Sequence, residues 1–532
     1  MFIAKMKQFV VSAALLAAFQ SAGAAVTPAA IHRVTLDVVN ARLAPDGFAR
    51  NTVVVNGQYP GPPILINKGD SLVVTVNNKL TDPTMRRSTS LDLDGLFDTT
   101  PELFQEGSPF VTQCPIAPGA SYTYTNGPIQ QAGNFWYHSQ LSVQYIDGFR
   151  GPLIVYDPED PLRHLYDVDD VNTIIQLGDW WHNTTLSPTM LPQYVATGII
   201  PVSDSSTVNG VGRYNGGPAV PWAVINVVKG KRYRFRLINE SARNIVTINF
   251  EGHSMTVIEA DGEPLTPHTT NAIDMLAGQR YSVIVTANQP VSNYWINAPF
   301  VGGNPANNLN QNATLSRAIL RYAGARAMDP TGPMEITPFP NSLVEADLRP
   351  LVAQAAPPAD VNMTLDLEVI AGKAIWNVNN VSYVAPKTPT LVKVLNGAST
   401  EADFNVTENT FIFPPNKTIQ FTFPPNDDDD AHPLHMHGQN FWLIKPNSTD
   451  VVNTANPIKR DIAAAGAAGI QFRFRTDKPG PFFFHCHIFW HYQAGLATVL
   501  LNDPASTRKL VHPNAEWENL CPTYNALPAE LQ

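Results

Sequence analysis

The sequence reads as an all-β protein of three consecutive Greek-key β-sandwich or small-barrel domains, and three observations carry that reading. Runs of aromatic and β-branched residues are short, alternate with polar positions and are cut by turn residues, for which 46 prolines and 33 glycines supply the material. No stretch sustains the apolar period of a long amphipathic helix. One strand motif is written more than once at a domain-sized spacing, and 532 residues exceed what one hydrophobic core organises.

In chain order, Lys5 and Lys7 precede an apolar run from Phe9 to Phe19, and Ala22-Gly23-Ala24 follows. This is the layout of a secretory signal peptide over residues 1–24 with cleavage near Ala24, and the run is too short to span a bilayer. The first domain is expected over 25–157, the second over 158–324 and the third over 325–532. In the first, Lys68-Gly69 leads to Leu72, Val74 and Val76 at period two and ends at Asn78; in the second, Lys229-Gly230 leads likewise to Tyr233, Phe235, Leu237 and Asn239. Pro118-Gly119-Ala120-Ser121-Tyr122 is echoed by Ala277-Gly278-Gln279-Arg280-Tyr281, again about 160 residues on. The third domain repeats strands of the first: Gly133 to His138 corresponds to Gly480 to His485, and Ser90-Leu91-Asp92-Leu93-Asp94-Gly95 to Pro433-Leu434-His435-Met436-His437-Gly438. Pro330 to Pro340 and Ala355-Ala356-Pro357-Pro358 read as connectors, and the acidic run at 427–430 as a solvated loop.

A formal net charge of −10 argues against nucleic acid or an anionic membrane as partner. Eight Asn-x-Ser/Thr sites, at Asn183, Asn239, Asn312, Asn362, Asn380, Asn405, Asn416 and Asn447, suit an exported glycoprotein. Of three cysteines, Cys486 lies between histidines, which leaves Cys114 and Cys521 for a disulfide tying the C-terminal tail to the first domain, or for two free thiols.

The chemistry concentrates near the C-terminus. His485-Cys486-His487 with His491 answers His432-Pro433-Leu434-His435-Met436-His437, so six of 13 histidines fall in two segments. Side chains alternate along an extended strand, so His485 and His487 face one way and Cys486 the other, and one strand can serve metal on both sides. A thiolate with two imidazoles and a weak or absent fourth ligand is the blue-copper arrangement, to which His432, Cys486 and His491 correspond. His435, His437, His485 and His487 then face a second metal site.

Taken with Gly61-Pro62-Pro63, Phe110 to Ile116, Trp136-Tyr137-His138, Gly230 to Arg236 and Leu520-Cys521-Pro522, these segments make the chain resemble the fungal laccases, three-domain multicopper oxidases of cupredoxin fold, over essentially its whole mature length. The resemblance implies that phenols or aromatic amines lose single electrons to a type-1 copper held by His432, Cys486 and His491. Four electrons then reduce O2 to water at a trinuclear copper cluster. It makes His491 the entry point for substrate electrons and puts Leu496, which cannot coordinate, in the axial position; an apolar shell there should raise the reduction potential.

Two of the four His-x-His pairs that hold the cluster in this family are altered. Asp92 and Asp94 stand for the first pair, and Gln140 replaces the partner of His138; the internal repeat gives the same alignment. His138, His435, His437, His485 and His487 remain. Oxygen and amide donors disfavour Cu(I), through which the cluster must pass, so oxygen reduction is expected to be impaired. Phe489 replaces an acidic residue that would relay protons, Glu106 remains as a second acid, Leu93 replaces a tryptophan and Gln439 a histidine. The ends of a second family disulfide are Ile146 and Ala242. Arg243 stands where many laccases carry a substrate-orienting carboxylate, which would favour anionic substrates; the other reading is a surface residue.

Three functions follow from the resemblance. One is a secreted laccase-type oxidase with reduced or altered oxygen turnover, its mixed site holding copper or a harder ion such as iron or manganese. Another is a mononuclear blue-copper electron-transfer protein, and the third is a non-catalytic partner that stabilises an active laccase chain by burying an interface.

Overall fold

The structure is a computed structural model and describes residues 29–97, 101–332, 339–426 and 431–531. The expected signal peptide at 1–24 and the acidic run at 427–430 lie outside the described residues.

The sheets come in three sets that follow one another along the chain. The first set has a four-stranded sheet in the order Arg50–Val55, Ile31–Leu43, Ser71–Asn78, Ser121–Asn126, and another in the order Ile64–Asn67, Arg150–Tyr156, Gly133–His138, Asp92–Asp94. The second has a seven-stranded and a six-stranded sheet, and the third two five-stranded sheets with a small two-stranded one. The same exceptional pairing recurs in each. Ile31–Leu43 runs parallel to Ser71–Asn78, Ile174–Trp180 to Arg232–Asn239, and Val361–Thr364 to Thr418–Phe423. Ile64–Asn67 runs parallel to Arg150–Tyr156, Val224–Val227 to Arg317–Tyr322, and Thr410–Phe413 to Ala497–Asn502. Parallel neighbours cannot be joined by a tight hairpin and need a crossover, so these pairs mark the same winding executed three times.

Period-two alternation does what the sequence requires of it. In Ser71–Asn78, Leu72, Val74 and Val76 are buried while Val73, Thr75 and Asn77 are partly exposed. Strands nearer the centre, such as Gly133–His138 and Gly480–Cys486, are buried on both faces, because another unit covers the side that would otherwise meet water. Ala355 to Pro358 form no regular element, as expected of a connector.

Three features lock the units together. Cys114 and Cys521 form a disulfide with S–S 2.07 Å across a sequence separation of 407, and beside it the Trp517 indole N–H donates to the Thr112 carbonyl at 3.1 Å. Ile146 and Ala242 are buried, and the neighbouring Tyr145 hydroxyl donates to the Ser241 carbonyl at 3.1 Å, so packing and a hydrogen bond join the chain there. Arg150 reaches from the first set of sheets to the second. Its Nη1 lies 3.3 Å from Asp179 Oδ1, its Nη2 donates to Tyr59 at 3.0 Å, and its Nε is 3.7 Å from Glu240 Oε1. Burial drives the Glu240 carboxyl up to about 7 despite Arg150.

Candidate metal centres

Gly480–Cys486 is a buried strand, and its alternation sends His485 and Cys486 to opposite sides. The chain then enters the short helix Phe489–Gln493, which carries His491 back beside Cys486. Gly495 closes that turn at φ +104°; a Cβ there would lie 2.0 Å from Ser382 Oγ and 3.0 Å from the Trp376 carbonyl, so only glycine fits. His432 begins the neighbouring strand His432–Met436, registered with Leu434 opposite Cys486.

The resulting trio is compact and buried. Cys486 Sγ is 3.7 Å from Nδ1 of His432 and 3.7 Å from Nδ1 of His491, and the two nitrogens are 3.1 Å apart. Trp376 packs on both imidazoles, with centroids 4.7 and 4.5 Å away. Burial holds the His491 imidazole well below its usual range, which keeps a nitrogen lone pair free to bind metal. Buried Leu496 presents its backbone carbonyl to the Cys486 N–H at 3.1 Å and has no side-chain donor to offer. A thiol and two imidazoles, all buried and converging on one point, are donors that fit copper.

His432, His491 and Trp376 form the floor of a cleft of about 550 Å³ walled by Ile199, Ile200, Val202 and Val301. Arg243 lines the same cleft and is buried, with its guanidinium against Gly303, so it belongs to the cleft wall and not to open surface.

On the other side of the strand lies the second group. Asp92 pairs in register with His138, as His435 does with His485, so the repeat read from the sequence is a repeat in space. The imidazoles are oriented by their outer nitrogens: Nδ1 of His138, His435 and His485 lie 3.0, 3.2 and 2.9 Å from the carbonyls of Ser139, Asp461 and Cys486. This turns their Nε2 atoms inward. Nε2 of His437 and His485 are 3.0 Å apart, and the Gln140 amide donates to His485 Nε2 at 2.9 Å. Asp94 is the hub of the other half. Its Oδ2 is 3.0 Å from His487 Nε2, 3.6 Å from His138 Nε2 and 3.9 Å from His435 Nε2. Glu106 Oε1 accepts from His437 Nδ1 at 2.6 Å and is braced by Ser108 and Thr112.

These carboxyls diverge electrostatically. Burial raises Asp92 well above the usual carboxylate range, and Glu106 and Asp94 add to the rise against the pull of His437. Burial alone would raise Asp94 too, but His435, His138, His487 and Arg280 together hold it well below that range. Burial opposes protonation of His437, yet Asp92 and Glu106 lift it to about 9. Phe489 packs against Tyr145 and His487 with centroids at 4.2 and 5.4 Å, so an aromatic ring fills the place where a proton-carrying acid was expected from the resemblance.

Two residues of this centre were not anticipated. Arg280 donates to Asp94 Oδ1 at 3.2 Å and to Asp461 at 2.7 and 2.6 Å, and Asp461 in turn sits 3.8 Å from His435 Nδ1. The one available signal was Arg280 itself, a full charge where the echoing segment has Ser121.

Models of the multicopper oxidase family match residues 37–160, 171–325 and 383–506. Laccase-1 of Agaricus bisporus is 44% identical over 93% of this chain and 95% of its own length. The laccase-like protein claX of Ampulloclitocybe clavipes is 50% identical over 72% of this chain and 97% of its own. Among solved structures, a laccase from Botrytis aclada matches with TM-score 0.81 at 29% identity, covering 94% of this chain and 93% of that one. Fet3p, described as a multicopper oxidase that functions in iron import, matches with TM-score 0.81 at 28% identity over 93% and 95%.

Proposed function

This chain belongs to the multicopper oxidase family, and we propose that it is a secreted laccase-type oxidoreductase, taking single electrons from phenols or aromatic amines at His432, Cys486 and His491, with impaired O2 reduction at the second group. Copper, when bound, supplies the one-electron acceptor for substrate and the sites where dioxygen is reduced. The observation that carries the reading is an asymmetry between the two faces of Gly480–Cys486: the Cys486 side has a complete soft donor set, whereas the other side has Asp92, Asp94 and Gln140 among its imidazoles.

The residues divide the work accordingly. The cleft holds an aromatic ring against His491 and Trp376, between aliphatic side chains on one part of its wall and Arg243, Asn304 and Asn307 on another. Arg243, facing the same space, favours substrates bearing a carboxylate. Cys486 is bonded through the backbone to both His485 and His487, the shortest covalent route between the two groups. On the far side, the Gln140 amide occupies the inward nitrogen of His485, and Asp92 and Asp94 supply hard oxygens that disfavour Cu(I). Glu106 holds a proton on His437. The signal-peptide layout and the family's secreted members support export, and the strand pairing that recurs three times supports a division into three domains near 157 and 324.

The test is elemental analysis of the purified protein together with oxygen uptake on a simple phenol. Blue copper, a copper content below the family's full set and slow oxygen uptake are expected; a full complement with brisk uptake overturns the reading. A second reading, electron transfer to a protein acceptor, draws on Phe489 in place of a proton relay. It predicts phenol-driven bleaching of the blue colour with no oxygen uptake.

A further inference from the structure

We infer that Asp94, His138 and His487 form a site for one divalent first-row cation harder than Cu+, of the class of Mn2+ and Fe2+. The inference rests on the reading that the second group no longer carries a full copper set, and it says what replaces part of that set. Asp94 and His138 end the strands Asp92–Asp94 and Gly133–His138, His487 directly follows the strand Gly480–Cys486, and the three donors lie within 4.8 Å of one another. Asp94 Oδ2 stands 3.0 Å from His487 Nε2 and 3.6 Å from His138 Nε2. Adjacent ligands of an octahedral ion with bonds of about 2.1 Å are about 3.0 Å apart, so small side-chain shifts bring all three onto one centre.

Each donor is aimed by something else. His138 Nδ1 is engaged by the Ser139 carbonyl, and its buried Nε2 has no hydrogen-bond partner. Arg280 takes Asp94 Oδ1 at 3.2 Å and leaves Oδ2 to the imidazoles. Trp136 backs both rings, with centroids 4.3 Å from His138 and 5.5 Å from His487. Two imidazoles and one carboxylate with the remaining positions open are the donor set of mononuclear non-haem iron sites, and the carboxylate penalises Cu+.

The experiment uses the full chain with copper loaded at Cys486. The protein is equilibrated with Mn2+, freed of excess by dialysis and analysed for manganese and copper, while the blue absorption of the Cys486 site reports that the fold is intact. About one Mn2+ per chain with unchanged colour is expected. Asp94→Asn and His138→Ala should each weaken Mn2+ retention by more than about 10-fold with the colour preserved; the asparagine keeps a hydrogen bond to Arg280, which also retains Asp461. Failure to retain Mn2+, or retention indifferent to both substitutions, overturns this inference while a low copper content leaves the proposed function standing. A full copper set in the unmodified chain overturns both.

Discussion

Glu240→Gln should make the protein more stable above neutrality and leave it almost unchanged in acid. Glu240 is buried between the first two sets of sheets, where its Oε1 accepts from the Tyr59 hydroxyl at 3.4 Å and its Oε2 has no hydrogen-bond partner. Burial, the largest influence, raises its carboxyl from 4.5 to about 7, and Arg150 at 3.7 Å only partly opposes this. A raised carboxyl is one whose proton the fold retains after the unfolded chain has released it. Stability from this group is therefore fully present below about 4.5, falls as pH rises, and is lost above about 7. At about 1.4 kcal/mol per unit, the loss amounts to about 3 kcal/mol. Glutamine mimics the neutral acid and abolishes the titration. Thermal unfolding of variant and wild type across a pH series reads the difference directly: close to zero near pH 4, growing through the window and level near pH 8. A variant less stable than wild type at the alkaline end would refute the reasoning, since it would mean that Glu240 is charged and serves Arg150 as a true partner.

Restoring the imidazoles with Asp92→His, Asp94→His and Gln140→His together should raise copper content and speed oxygen uptake on a phenol by at least about 10–100-fold; unchanged values would remove the defect from these positions. Arg243→Gln should slow anaerobic bleaching of the blue copper by a carboxylated phenol about 10–100-fold and leave its methyl ester nearly unaffected, because a charge-assisted hydrogen bond contributes about 1.5–3 kcal/mol. Equal effects on both substrates would exclude a role in charge recognition. Cys521→Ser opens a loop of 407 residues, for which chain entropy gives about 6 kcal/mol as an upper figure and measured removals about 2–5. Denaturant titration should show a loss in that measured range, and the tail beyond Trp517 should become sensitive to protease; a tail that stays protected would assign its anchoring to the rings of Trp517 and Tyr524, whose centroids lie 6.3 Å from Phe104 and 5.8 Å from Phe110.

The sequence alone determined what is local or periodic. Period-two alternation in segments such as 71–78 is set by backbone geometry, so it announces strands and their buried face wherever they end up. The same alternation placed Cys486 and His485 on opposite faces before any fold was known, and the repeat of Asp92 on His435 survived as identical register in two sheets. Tertiary structure decided the rest. Arg280 belongs to the second set of sheets yet meets Asp94 from the first and Asp461 from the third. Arg243 faces the cleft because the segment carrying Gly303 folds over it. Glu240 is strained electrostatically because a neighbouring unit buries it. Contacts of this kind join residues from 60 to 186 positions apart, and burial, which sets their charge states, is a property of the assembled surfaces that no short stretch of chain encodes.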